Sequence, residues 1–137
     1  MILGLDISTT STGYCILDAD GEVIRAGAWE TKNKNHYPDV FVKAKYIQEI
    51  YIETPFTFFG SGGSSAKTMA ILQKFNGIIS WLCYDVFQKT PHYFTAQQAR
   101  KANKITIKKG LDTKKQILDW VTQNTPTLTV EHTRHGN

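Results

Sequence analysis

The hydrophobic positions at the start of the chain follow the spacing of strands. Residues 1–5 are apolar and too few for a helix, which predicts a strand buried on both faces. Segments 14–18 and 22–29 flank Asp20-Gly21, a dipeptide typical of a two-residue hairpin turn. The first thirty residues therefore predict three strands in an antiparallel meander.

The rest of the chain alternates between helical and strand patterns. The predicted elements are a helix at 38–47, a strand at 50–53, a long helix at 71–86, a strand at 92–95, a short helix from 96 and a last helix capped by Asp112. Gly77, inside the long helix, indicates close packing against a neighbour. This order predicts an α/β fold in which helices flank a mixed five-stranded sheet, with strands 1–3 antiparallel and strands 4–5 parallel.

The chain has 137 residues, of which 41% are apolar and 20% are charged. These values are ordinary for a globular protein. That length suits one domain, so we interpret 1–137 as a single domain. No apolar run approaches the ~20 residues of a membrane span, and we expect no membrane partner. We interpret Cys15 and Cys83 as buried free thiols in a reducing compartment, and we expect a cytoplasmic protein.

The net charge of +4 is unevenly distributed. Residues 97–115 contain seven cationic side chains against Asp112 alone. The seven are Arg100, Lys101, Lys104, Lys108, Lys109, Lys114 and Lys115. Such a concentration indicates a polyanionic partner, although a solvated helix face is the usual explanation of a charge run.

Two carboxylates each follow an apolar strand pattern. Asp6 ends the first strand, and Glu53 ends the fourth. An acid at a buried strand end is costly unless it is paired or bound to a cation, and a side-chain cap of the following turn is the alternative explanation of Asp6 alone. If the two strands are neighbours, both acids lie about 5 Å apart at one sheet edge. Oxygen ligands of this kind suit Mg²⁺ or Mn²⁺, and two such ions could support phosphodiester hydrolysis.

Ile2-Leu3-Gly4-Leu5-Asp6 followed by Thr12-Gly13-Tyr14 resembles the opening strand and hairpin of RuvC-like crossover junction endodeoxyribonucleases. This family, which includes phage and virus members, belongs to the ribonuclease H-like superfamily. Ile52-Glu53 is similar to its second catalytic acid, and the resemblance covers nearly the whole chain. It implies a ribonuclease H-like fold and a Mg²⁺- or Mn²⁺-dependent endonuclease, with two ions per site. Such an enzyme would resolve four-way (Holliday) DNA junctions in recombination and repair.

The resemblance also implies roles for other residues. Phe56 stands where the family has an aromatic that stacks on a base near the junction point. Lys114 matches a lysine that approaches the scissile phosphate, and Lys104 is the counterpart, one position off, of a second lysine. Residues 97–117 are similar to the family's basic DNA-binding segment, so we expect Arg100, Lys101, Lys108, Lys109 and Lys115 to bind nucleic acid. Because a four-way junction presents two equivalent strands, we expect a homodimer, with the 71–86 helix as its interface.

The C-terminal part departs from the family pattern. The family ends in a helix with an Asp-x-x-Asp or related pair that completes the metal site, and nothing after Trp120 supplies it. We therefore expect a truncated chain that cuts poorly or not at all. Glu131 is the only late acid that could take part, and we interpret His132 and His135 as tail residues.

Three other functions fit parts of this pattern. An actin-like or sugar-kinase ATPase has a phosphate loop resembling residues 6–13, but that fold needs two such domains. A non-catalytic nucleic-acid-binding module would use the basic segment and would not need Asp6 or Glu53. A closer relative within the superfamily acts on ribosomal RNA precursors.

Overall fold

The structure is a computed structural model that describes residues 1–32, 46–54 and 66–125. Most of the helix predicted at 38–47 lies outside the described residues. Phe56 and the tail residues Glu131, His132 and His135 also lie outside them.

The strands form one five-stranded sheet in the order β3-β2-β1-β4-β5. Within the described residues the elements are β1 (Ile2–Asp6), β2 (Ser11–Leu17), β3 (Val23–Glu30), β4 (Glu49–Glu53), α1 (Ala66–Phe87), β5 (His92–Phe94), α2 (Ala96–Ala102) and α3 (Thr113–Asn124). The first three strands are antiparallel, whereas β4 runs parallel to β1 and β5 parallel to β4. The predicted mixed sheet is confirmed, and β1 lies at its centre between β2 and β4.

The chain divides into two compact units, Met1–Ala96 and Gln97–Asn137. The first unit contains the whole sheet and α1. The second contains α3 and almost all of α2. The interpretation of 1–137 as a single domain stays a prediction.

The core of the first unit lies between one face of the sheet and α1. Alternate residues of each central strand are buried, as the period of two along a strand requires. The cluster comprises Leu3, Leu5, Ile7, Tyr14, Ile16, Trp29, Ile47, Ile50, Ile52, Ile79, Cys83 and Phe87. Burial of this apolar surface fixes β1, β4 and α1 relative to one another.

The β2–β3 hairpin is confirmed, but its turn is longer than the predicted two residues. The Asp18 carboxylate accepts hydrogen bonds from the amides of Asp20 at 2.9 Å and Glu22 at 3.0 Å. Gly21 has a φ of +83°, a backbone conformation that glycine adopts without steric cost. Asp18, which the sequence pattern assigned to a strand, therefore organises the turn.

Two expectations about small residues are wrong. Gly77 is exposed, and a Cβ built on it would meet nothing within 4 Å, so it marks no close packing within the described chain. Cys83 is fully buried, but Cys15 is only half-buried. Burial raises the pKa of both thiols, that of Cys83 to about 12.

Candidate metal centre and nucleic-acid interface

Asp6 and Glu53 are the last residues of neighbouring parallel strands. Their preceding residues, Leu5 and Ile52, are paired in register. Because side chains alternate along a strand, both acids lie on the face opposite the buried Leu5 and Ile52. Neighbouring strands are about 5 Å apart, so the sheet brings the two carboxylates together at one edge.

The two acids are less buried than the sequence pattern predicted. Asp6 is exposed, and Glu53 is half-buried. The argument that an acid at a buried strand end must be costly therefore does not apply to Asp6. The case for a cation site depends instead on the placement of two carboxylates in register on one face.

The neighbouring strands extend this row of residues across the sheet. Gly13 of β2 is paired with Asp6, and Phe94 of β5 is paired with Glu53. A Cβ built on Gly13 would lie 3.9 Å from the Asp6 Cβ, so the missing side chain leaves room beside Asp6. The acids thus have an open flank on the β2 side and an aromatic residue on the β5 side.

Side-chain hydrogen bonds order the segment that follows Asp6. The Ser8 hydroxyl donates to the Ser11 carbonyl at 2.5 Å and accepts from the Ser11 amide at 3.1 Å. The Thr31 hydroxyl donates to the Ser8 carbonyl at 2.7 Å and lies 2.8 Å from the hydroxyl of Thr12, which is fully buried. Since a carbonyl can only accept, Thr12 donates to Thr31. This network holds the chain immediately after Asp6 in one conformation.

The main chain at Glu53 is held from two sides. The Asn76 side-chain amide of α1 donates to the Glu53 carbonyl at 3.2 Å, and the Thr54 amide donates to the Phe94 carbonyl at 2.7 Å. The first bond joins the end of β4 to the helix, and the second joins it to β5. Sequence patterns did not identify Asn76, although a polar residue on the apolar side of a helix could have indicated it.

The donor set fits a divalent cation such as Mg²⁺. Both side chains offer hard oxygen ligands, and Mg²⁺ sites commonly use one or two carboxylates with water and substrate phosphate as the other ligands. Among the described residues no group of three or more His, Cys, Asp and Glu side chains comes together. Asp6 and Glu53 could therefore hold a cation as a carboxylate pair.

In the second unit, α2 ends in a tight turn that contains Lys104. The Ile105 amide donates to the Arg100 carbonyl at 2.9 Å, and the Lys104 amide donates to the Lys101 carbonyl at 3.1 Å. This is the Schellman pattern, in which glycine usually takes the left-handed position. Here that position is Lys104, with a φ of +57°. A non-glycine residue in this conformation costs on the order of 1 kcal/mol.

The turn forms one side of an open depression of about 600 Å³ in the second unit. Its cationic lining residues are Arg100, Lys101 and Lys104, and Ile105 and Ile107 supply apolar surface. Three of the predicted nucleic-acid-binding side chains therefore lie together around one concave surface.

The remaining predicted cations surround the start of α3. Asp112 caps this helix, because its carboxylate accepts from the amides of Lys114 at 2.9 Å and Lys115 at 3.4 Å. The predicted cap is thus confirmed. Lys108 and Lys109 are exposed in the preceding turn, and Lys114 and Lys115 are exposed in the first helical turn. Cations in a first turn oppose the helix macrodipole, whereas a bound phosphate would be favoured there.

Comparison with solved structures gives matches to RuvC. The Thermus thermophilus RuvC structure matches with a TM-score of 0.55 and 10% identity, covering 98% of this chain and 85% of that one. T. thermophilus RuvC in complex with Holliday junction substrate matches with a TM-score of 0.50 and 7% identity, covering 74% and 69%. No family model matches the chain, and neither does any curated protein. At these identities the likeness shows the fold, which is RuvC-like and ribonuclease H-like.

Proposed function

We propose that the chain is a metal-dependent endonuclease that acts on four-way DNA junctions. The observation that carries the proposal is the placement of Asp6 and Glu53 on one face at the ends of two paired parallel strands. The RuvC-like fold supports it, since one of the matched structures is RuvC in complex with Holliday junction substrate.

The role of Asp6 and Glu53 is to supply negative charge at a fixed place. Bound Mg²⁺ or Mn²⁺, as one ion or two, would supply activation of the attacking water and charge stabilisation at the leaving oxygen. The hydrogen bonds around Ser8 and Asn76 restrict the main chain next to both acids, so the backbone that carries the carboxylates is ordered before a ligand arrives. Gly13 leaves the side of Asp6 open to a substrate phosphate.

The basic segment, residues 97–115, would bind the DNA backbone. Each phosphate contact made by Lys or Arg releases counterions, so binding should weaken steeply with salt. We assign Lys114 to the scissile phosphate on the family resemblance, with Lys104 as the second lysine. The other five cations, Arg100, Lys101, Lys108, Lys109 and Lys115, would contact phosphates along the strands. Phe56, which lies outside the described residues, would stack on an unpaired base.

We also propose that the working unit is a homodimer. The solvent side of α1 carries large exposed apolar side chains, with Trp81 67% exposed and Ile78 48% exposed. The Trp81 and Tyr84 rings lie 5.9 Å apart, and Gly77 leaves open space on the same helix. A second copy of α1 would cover this surface and give a two-fold pair of sites for the two equivalent strands of a junction.

An ATP-binding function is less well supported by the segment after Asp6. A phosphate loop would offer the hydroxyls of this segment to the nucleotide. In this segment the Thr12 hydroxyl is instead buried and bonded to that of Thr31, and the Ser8 hydroxyl is bonded to the main chain of Ser11. We therefore keep ATP binding only as a control measurement.

The test compares four-way junctions, duplexes and single strands of equal length, with and without Mg²⁺ or Mn²⁺. We expect salt-sensitive binding that favours the junction, and we expect any cleavage to be paired and dependent on the metal. Equal binding to all three DNAs would refute the junction proposal. Binding without any effect of metal would favour a non-catalytic DNA-binding module, and ATP binding would favour a kinase-like fragment. Within the described residues, no helix has the length and apolarity that a bilayer span requires.

A further inference from the structure

We propose that Asn76 is a positioning residue for Glu53 in the proposed metal centre. This inference rests on the function proposed above, and concerns a residue that sequence patterns did not identify. Asn76 is a polar residue on the apolar face of α1. Along the face of α1 that packs on the sheet, Asn76 lies seven residues from both Met69 and Cys83, which are buried.

An asparagine at this position is unfavourable unless its side chain is used. Asparagine is a weak helix former, and Asn76 lies in the interior of a 22-residue helix. Burying its amide without a partner would add a desolvation cost. The hydrogen bond that it donates to the Glu53 carbonyl at 3.2 Å is partly buried and offsets this cost.

The bond acts on the residue that carries the second carboxylate. Glu53 ends β4, so the strand ladder stops at this point. The next amide, that of Thr54, is bound by the Phe94 carbonyl, and the Glu53 carbonyl is bound by Asn76. Both sides of one peptide group are therefore held, and their release would let the end of β4 fray and shift the Glu53 main chain and side chain relative to Asp6. A small displacement of a ligand weakens a metal site, because such sites depend on preorganised geometry.

The test measures Mn²⁺ affinity by calorimetry, thermal stability, and the exchange rate of the Thr54 amide proton. Asn76→Leu removes the donor but keeps an apolar side chain on the packed face. Asn76→Asp keeps the shape but cannot donate when ionised. We expect both variants to lose about ten- to hundredfold in Mn²⁺ affinity, the usual effect of removing a group that orients a ligand. We also expect faster exchange at Thr54.

The matched control is Ile79→Val, which truncates the same face of α1 one turn further on. It should lower the melting temperature and leave the Mn²⁺ affinity and the Thr54 exchange rate unchanged. Wild-type Mn²⁺ affinity in both Asn76 variants would overturn the role of Asn76 and leave the metal centre standing. Absence of Mn²⁺ binding by the wild-type protein would refute the metal centre itself, and with it this role. If Asn76→Leu folds poorly, the isosteric Asn76→Asp variant decides the question.

Discussion

Gln116 and Lys108 are joined by two hydrogen bonds, one in each direction. The Lys108 amide donates to Gln116 Oε1 at 2.8 Å, and Gln116 Nε2 donates to the Lys108 carbonyl at 3.2 Å. Gln116 Nε2 also lies 3.4 Å from the Leu111 carbonyl. One uncharged side chain of α3 therefore holds the turn that carries Lys108 and Lys109 against the start of the helix.

We predict that Gln116→Ala weakens DNA binding although it removes no charge. The turn should loosen because each lost hydrogen bond costs roughly 1 kcal/mol. The slope of the logarithm of the binding constant against the logarithm of the salt concentration should not change, since the number of phosphate contacts is set by the lysines. Fluorescence anisotropy over a range of salt concentrations measures both quantities. Gln123→Ala, on the exposed part of the same helix, should behave as wild type, and a changed slope in Gln116→Ala would contradict the prediction.

Lys104→Gly should make the protein more stable and a weaker DNA binder. Glycine relieves the left-handed conformation at this position, which we expect to raise the free energy of unfolding by about 0.5–1 kcal/mol. Loss of one cation should remove about one phosphate contact, and the dependence of the binding constant on salt concentration should become weaker accordingly. Urea unfolding and binding titrations test the two effects separately. Lys67→Ala, an exposed lysine on α1, is the control for loss of one charge. A destabilised Lys104→Gly variant would show that the side chain supports the turn.

These two predictions depend on residues that sequence patterns treated differently. The basic segment was visible from composition, because it holds seven cations against one aspartate, although this count alone does not distinguish a binding surface from a solvated helix face. The hydrogen bonds between Gln116 and Lys108 could not be predicted, since a glutamine in an amphipathic helix has the same pattern as any polar surface residue. The left-handed position of Lys104 was also hidden, because glycine or asparagine is expected there and Asn103 is the adjacent residue.

The sheet was largely predictable for a physical reason. Apolar runs bounded by acids and turn residues define strand ends, so Asp6 and Glu53 could be placed at strand ends from the sequence, and at one edge of the sheet on the condition that the two strands are neighbours. Burial at that edge could not be predicted, because it depends on what covers each strand end, and Asp6 is exposed. The contacts of Asn76 and Thr31 join elements far apart in sequence, and local patterns contain no information about such pairs.

In a form of the protein that cuts junctions, Asp6→Asn should abolish metal-dependent cleavage and leave junction binding intact. The variant keeps the size of the side chain but loses the negative charge that a divalent cation requires. Mn²⁺ calorimetry, junction cleavage and binding titrations measure the three properties in parallel. Asp20→Asn, in the exposed β2–β3 turn, is the matched control and should cleave normally. Undiminished cleavage by Asp6→Asn would exclude Asp6 as a metal ligand.

The stability of the first unit should fall at alkaline pH because of Cys83. Burial raises the pKa of this thiol from 9.0 to about 12. Below pH 9 the thiol is protonated in both states. As the pH rises above 9, the unfolded state loses its proton first, so stability should fall by about 1 kcal/mol per pH unit toward pH 12.

Cys83→Ala tests this contribution, because it removes the thiol and keeps a small apolar side chain. The variant should be less stable at pH 8 because a buried group is lost. The difference from wild type should shrink as the pH rises from 9 to 11, since other titrating groups are common to both proteins. Urea unfolding at fixed pH values measures this difference. A constant difference across the range would contradict the prediction.

Trp81→Glu should convert the proposed dimer into a monomer without unfolding it. Trp81 is 67% exposed and belongs to no buried cluster, so its replacement leaves the core of the first unit untouched. In a dimer formed by two copies of α1, the change would bury two like charges at one interface, which is strongly unfavourable. Sedimentation velocity should show half the mass of the wild type, and circular dichroism should show the same helix content.

The monomer should cut a junction in one strand at a time, because the second site is no longer held across the two-fold axis. Thr90→Glu, exposed beyond the end of α1, should remain dimeric and make paired cuts. A wild-type protein that is monomeric at working concentrations yet makes paired cuts would exclude the α1 interface.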